Sequence, residues 1–237
     1  MDDLFGGGQS RQSDGQMRSD TRQNLAYRMR PCHLDEFVGQ EHILEKGKLL
    51  HRLITSDRIS AVLFYGPPGT GKTSLAHCIA HMTQSRFVSL NAVEASVAHL
   101  RQAIEEADFT WKREGETTLL LVDEIHRFNK SQQDAILPHV ESGRVKLVGA
   151  TTQNPYFSVN AALLSRMQLF ELKELTPPAI KRILQRAIDD AEKGLGKTKV
   201  ELTDEAMQLF AEGCGGDSRR AKSCIASAGS WRPQTGS

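Results

Sequence analysis

Ala61-Val62-Leu63-Phe64-Tyr65-Gly66-Pro67-Pro68-Gly69-Thr70-Gly71-Lys72-Thr73 decides the reading of this chain of 237 residues. The apolar run predicts a buried strand, the Gly/Pro run a sharp turn, and Ser74-Leu75-Ala76-His77-Cys78-Ile79-Ala80 a helix. Strand, glycine loop and helix together open a β-α-β unit. The loop fits G-x-x-x-x-G-K-[ST] in full. Its glycines let backbone N–H groups turn toward a phosphate chain, at the positive end of the helix that begins near Lys72. Gly66, Pro67, Pro68, Gly69, Thr70 and Gly71 are therefore the expected phosphate cradle. Lys72 is expected against the β- and γ-phosphates of ATP, and the Thr73 hydroxyl on Mg²⁺. A glycine-rich turn can arise by chance, but this one has the preceding strand and following helix that the motif requires.

Leu119-Leu120-Leu121-Val122-Asp123-Glu124 supplies the acidic half. Four successive apolar residues predict a strand covered by helices on both faces. Asp123 is then expected to hold the metal through its water shell, and Glu124 to orient and polarise the attacking water. Alone, two acids after a strand read as a solvated helix start. With the phosphate loop upstream, they specify a P-loop NTPase. Hydrolysis also needs polar groups at the γ-phosphate, and Thr152 and Asn91, each following an apolar run, are candidates. Turn forming or capping is the commoner task for either residue there.

Three further runs, Phe87 to Leu90, Val145 to Ala150 and Leu169 to Leu172, alternate with helical stretches at 97–107 and 131–140. An α/β fold follows, with a five-stranded parallel sheet between helices. Residues 1–24 hold too few apolar groups to offset the entropy of ordering and are expected to be a disordered tail. Residues 25–174 form the expected αβα domain, 175–228 a small helical lid, and 229–237 an irregular tail.

The 30 Lys+Arg and 29 Asp+Glu leave a formal charge of +1, which excludes a protein that coats nucleic acid by global charge. Four scattered cysteines without C-x-x-C spacing, no apolar window of membrane length and no secretory leader predict a soluble, cytoplasmic protein with free thiols.

Together these segments resemble the AAA+ ATPases, and within them the RarA/MgsA family, bacterial relatives of Werner-helicase-interacting protein. The resemblance rests on Arg30-Pro31, Leu34-Asp35-Glu36-Phe37-Val38-Gly39-Gln40, the phosphate loop, and Asp123-Glu124-Ile125-His126-Arg127-Phe128-Asn129-Lys130-Ser131-Gln132-Gln133-Asp134. It also rests on Gly149-Ala150-Thr151-Thr152-Gln153-Asn154-Pro155 and Leu163-Leu164-Ser165-Arg166, and spans roughly residues 25–222. It implies that Val38 and Gly39 lie against adenine, that Thr152 senses the γ-phosphate or its water, and that Asn91 restrains Glu124 until a ligand binds. It further implies that Arg166 is a finger inserted into a neighbouring subunit's nucleotide, and that Arg219, in Gly216-Asp217-Ser218-Arg219-Arg220, reaches the phosphates from the lid.

The same resemblance implies a nucleoid-associated, DNA-dependent ATPase of replication forks and recombination, acting at gaps, duplex ends or forks. DNA contact would fall to local cations such as Lys112, Arg113, Arg127 and Lys130. Lys222-Ser223-Cys224-Ile225 departs from the family's apolar lid helix, which implies a short lid and puts homo-oligomer formation in question. Asp3-Leu4-Phe5 resembles the end of a sliding-clamp docking peptide, and single-strand-binding protein is a second implied partner. A RuvB-like branch-migration motor, a clamp-loader ATPase and a non-hydrolysing nucleotide-gated switch are the competing readings.

Overall fold

The structure, a computed structural model, describes residues 24–198 and 202–230. The expected tail around Leu4 and Phe5 and the stretch after Ser230 lie outside the described residues.

The chain enters through α1 (Leu25–Arg28), a 3₁₀ turn at Leu34–Glu36, α2 (Glu41–Leu44) and α3 (Leu49–Thr55). Strands and helices then alternate: β1 (Ala61–Tyr65), α4 (Lys72–Met82), β2 (Arg86–Asn91), α5 (Val97–Glu114) and β3 (Thr118–Asp123). A 3₁₀ turn at Ile125–Arg127 leads to α6 (Lys130–Glu141), β4 (Val145–Thr151), the short α7 (Pro155–Ser158) and α8 (Ala161–Leu164), and β5 (Gln168–Glu171). Three helices close the described chain: α9 (Pro177–Asp189), α10 (Asp204–Gly213) and α11 (Ser218–Ser230).

All five strands are parallel, in the order β2-β3-β4-β1-β5. The expected fold class is thereby observed. The register pairs Tyr65 with Thr151 and Asn91 with Asp123, so the carboxyl ends of β1, β2, β3 and β4 finish along one edge. An open parallel sheet places its ligand crevice at that edge.

Apolar side chains on the two faces of the sheet form separate cores. Leu63, Leu120, Val122 and Leu147 pack with Leu100, Ile104 and Ile136 of α5 and α6. Val62, Phe64, Leu119, Leu121 and Val148 pack with Leu50, Ile54, Leu75 and Ile79 of α3 and α4. Two-sided burial explains why β3 is apolar at successive positions instead of alternate ones. Lys146, on buried β4, is matched by Asp57 at 2.6 Å and Ser85 at 3.1 Å, as a buried ammonium requires.

A third core joins Leu25 and Met29 to Ile180, Leu184 and Ala187 of α9, Met207 and Ala211 of α10, and Ala221 and Ile225 of α11. α1 therefore packs with the helical lid and not with the sheet, a contact that its sequence position before β1 does not announce. Asn24, placed by sequence in the tail, caps α1 by accepting from the Ala26 N–H at 3.0 Å. α11 continues to Ser230, two residues past the expected boundary at 228. Among the described residues no helix is long and apolar enough to cross a membrane, and Cys32, Cys78, Cys214 and Cys224 are free thiols.

Candidate active site

The loop after β1 is fixed by close approaches that only glycine permits. Gly66 has φ 138° and donates its N–H to the Thr151 carbonyl at 3.3 Å, and a Cβ there would lie 2.0 Å from the Leu172 carbonyl oxygen. Gly69 has φ 76°, and a Cβ on it would meet the Asp217 carboxylate of the lid at 2.0 Å. Thr70 closes the loop by donating to the Pro67 carbonyl at 3.0 Å. Gly71 then forms the N-cap of α4, so the first backbone N–H groups of that helix open into the loop.

Lys72 is buried, and its Nζ donates to the carbonyls of Gly66 at 2.8 Å and Pro67 at 2.7 Å. Burial lowers its pKa, with Asp123 and Glu124 acting the other way. The Thr73 hydroxyl donates to Asp123 Oδ2 at 3.1 Å, joining the α4 and β3 halves of the site. A hydroxyl beside a carboxylate is a hard-oxygen donor set suited to Mg²⁺. Among the described residues no cluster of three or more His, Cys, Asp or Glu forms a metal cage.

Glu124 sits at φ 53°, left-handed backbone for a residue with a side chain. Such a conformation stores strain of roughly 1–3 kcal/mol and persists only where neighbours hold it. The Glu124 N–H donates to Asp123 Oδ1 at 3.1 Å and its carbonyl accepts from the Arg127 N–H at 2.8 Å. Its carboxylate is met by Thr152, whose hydroxyl donates to Oε2 at 3.3 Å, and by His126, whose Nδ1 lies 3.3 Å from the same oxygen. His126 Nδ1 is also 2.9 Å from Thr151 Oγ1. Asn91 is not among them. Its Oδ1 accepts from the Val93 N–H at 3.1 Å, the turn-forming use that its sequence context also allows. The expected restraint of Glu124 by Asn91 is not what the structure shows, because Thr152 and His126 hold that carboxylate.

The lid closes over the loop from the other side. Ser218 donates both its backbone N–H, at 3.2 Å, and its hydroxyl, at 2.8 Å, to the Gly69 carbonyl. That seat brings Arg219 to the cleft lined by Gly69, Lys72, Thr73, Asp123, Glu124 and Thr152. Arg219 lies 3.8 Å from Asp217 and is largely exposed. Tyr27 and Arg30 line the same cleft. The Arg30 guanidinium lies 4.5 Å over the Tyr27 ring and donates to His77 Nε2 at 2.7 Å. Burial, and then the Arg30 charge, push His77 down to about 4, so it is the neutral acceptor at neutral pH.

A second recess continues from the first and is lined by Phe37, Val38, Gly71, Ser74, Leu175 and Ile183, among others. Gly39, with φ 79°, passes so close to Leu175 that a Cβ would come within 2.5 Å of its Cδ2. Gln40 anchors this segment by donating to the Lys173 carbonyl at 2.7 Å and accepting from the Lys173 N–H at 2.9 Å. Arg166 stands apart from both recesses, at the end of α8, where it pairs with Glu141 and donates to the Ala162 carbonyl at 2.9 Å.

Sequence reading passed over His126, Tyr27, Arg30 and Lys222 as site residues. Arg30 and His126 lay inside the segments that carry the family resemblance, which was signal enough to nominate them. Tyr27 and Lys222 reach the cleft only because α1 and α11 pack together, and nothing local marks them.

A family model described as "ATPase family associated with various cellular activities (AAA)" matches residues 62–175. "Replication-associated recombination protein A" of Haemophilus influenzae is 44% identical over 201 residues, 85% of this chain and 45% of that protein. The protein of the same name from Escherichia coli strain K12 is 45% identical over the same shares. This chain thus spans about half the length of the curated relatives it matches. A solved structure, "Thermotoga maritima RuvB Holliday junction branch migration motor", superposes with a TM-score of 0.67 at 29% identity. That match covers 84% of this chain and 64% of the other. On its fold and these relatives, the chain belongs to the AAA+ ATPases and, among them, to the replication-associated recombination protein A family.

Proposed function

We propose that this chain binds ATP in the cleft at the carboxyl edge of the sheet and hydrolyses it to ADP and phosphate. The observation that carries the reading is the convergence of Lys72, Thr73, Asp123, Glu124, Thr152 and Arg219 on one cleft. The adenine is assigned to the recess beside Val38 and Gly39, and the phosphates to the loop from Gly66 to Thr73.

In this mechanism Glu124 Oε2 accepts a proton from water as the water oxygen bonds to the γ-phosphorus and the bond to the ADP oxygen breaks. Thr152 and His126 hold that carboxylate in one orientation, which lowers the entropic part of the barrier. Lys72 and Arg219 offset the charge on the phosphate oxygens. Thr73 and Asp123 would hold Mg²⁺, which when bound supplies further charge neutralisation at those oxygens. Arg166 is assigned to a neighbouring subunit's nucleotide. Its exposed pair with Glu141 is a weak surface interaction that a phosphate can displace.

The names of the relatives support a role in replication and recombination, and we propose in addition that ATP turnover is coupled to DNA. Exposed Lys112, Arg113, Arg127 and Lys130 are the local cations assigned to DNA contact. ATPase rate measured against protein concentration, with and without gapped DNA or duplex ends, tests the reading. Specific activity is expected to rise with concentration and with DNA in wild type, and to lose its concentration dependence in Arg166→Ala. A rate at buffer background under every condition would sink the enzyme reading and favour a nucleotide-gated switch.

A further inference from the structure

Lys222 of α11 is 8% exposed, a charged residue in the middle of the lid core. It belongs to the lining of both recesses, the one beside Val38 and the one beside Lys72. Among the described residues only Gly71, Ser74 and Ser218 share that position with it. Lys222 therefore stands at the junction of the two recesses, above the first turn of α4. The charged groups acting on it are Arg186 of α9 and Arg30 of the segment after α1, both cations. The nearby carboxylate, Glu36, is already engaged by Arg186 at 2.7 Å. Among the described residues no acid pairs with Lys222.

A buried ammonium facing two other cations is unfavourable unless an anion completes the site. On the proposed reading the base lies beside Val38 and the terminal phosphates beside Lys72, so the α-phosphate of the nucleotide must cross the junction. We infer that Lys222 is a nucleotide-binding residue, which holds the α-phosphate where the adenine recess meets the phosphate cleft. This inference rests on the proposed ATP site and adds to it a contact from the lid that neither the loop motif nor Arg219 provides. It also gives the lid a reason to seat more firmly when nucleotide is present, because the excess positive charge between α11, α9 and the Arg30 segment is then balanced.

The neutral, similarly shaped Lys222→Met variant separates this role from a structural one. Affinity for a fluorescent methylanthraniloyl ADP should fall about tenfold or more in Lys222→Met and stay within about threefold of wild type in Lys222→Arg. At the same time, ligand-free Lys222→Met should melt at a higher temperature than wild type, because an uncompensated buried charge has been removed. A second readout is pH. Burial followed by Arg186 and Arg30 lowers Lys222 to about 8, and a bound phosphate raises it again. Wild-type affinity should therefore decline as pH rises from 7 through 9, with a flatter profile in Lys222→Met. The other charged groups around it are Arg30, Arg186, Arg219 and Glu36. If wild type binds the probe and Lys222→Met binds it equally well, the inference is overturned while the ATP site stands. If wild type fails to bind it at all, the proposed site and this inference fall together.

Discussion

The two sides of the cleft are built on opposite electrostatic terms. On the sheet side the polar groups are matched. Lys72 is held by two carbonyls, Thr73 by Asp123, and Glu124 by Thr152 and His126. On the lid side cations outnumber their partners. Lys222 faces Arg30 and Arg186, Arg219 is largely exposed, and the buried Arg28 Nε has no hydrogen-bond partner among the described residues. A matched surface can stand preorganised without ligand, whereas a surface with excess charge is most stable when an anion is bound. On the proposed reading the sheet side positions the chemistry and the lid side responds to the nucleotide.

Substitutions along the seam between the two sides break or sharpen this contrast. The largest effect is expected from Gly66→Ala, which places a methyl group against the Leu172 carbonyl at a positive φ. It should cost roughly 3 kcal/mol or more in denaturant unfolding, because both the strain and the clash fall on backbone. A loss below about 1 kcal/mol would mean that the sheet side is less rigid than its hydrogen bonds indicate.

Gln40→Ala comes next. It leaves the Lys173 N–H and C=O without their side-chain partners at the junction of sheet and lid. Unfolding free energy should fall by about 2 kcal/mol. Hydrogen exchange should rise around Lys173 while β3 stays protected.

The smallest effect concerns His77. Its folded pKa, about 4, lies below its ordinary value of 6.5, so the unfolded chain binds the extra proton between those limits. Its contribution is present above pH 6.5 and is lost as pH falls toward 4. Between pH 6.5 and 5 wild type should lose about 1.5 kcal/mol that His77→Gln, which retains an acceptor for Arg30, does not lose. Equal acid slopes in the two proteins would show that the Arg30–His77 link does not hold the seam.

The same contrast explains what could be read from the sequence. The sheet side is written in contiguous stretches. Gly66 to Thr73 and Leu119 to Glu124 each combine a strand, a turn and chemistry at fixed spacing, so the parallel sheet and most of the cleft were legible. The partner of Glu124 was less so. Thr152 and Asn91 follow or end the two strands that flank β3, so strand order does not separate them; only the side-chain contacts do, with Asn91 turned to the Val93 N–H and Thr152 to the carboxylate. The lid side depends on packing between distant segments. Leu25 and Met29 meet Ile225 across about two hundred residues of chain, and Lys222 reads locally as one more polar residue of a helix. Arg166 has a motif, but within the chain it pairs with Glu141 away from the cleft, and the target proposed for it belongs to a neighbour.

ATP affinity set beside turnover, in wild type, Glu124→Gln and Lys72→Ala, decides the matter. The account predicts that Glu124→Gln binds ATP within about threefold of wild type while its turnover falls by about 10² to 10⁴. Lys72→Ala should lose affinity itself. Turnover in Glu124→Gln equal to that of an active wild type would contradict the assignment of Glu124 as the base.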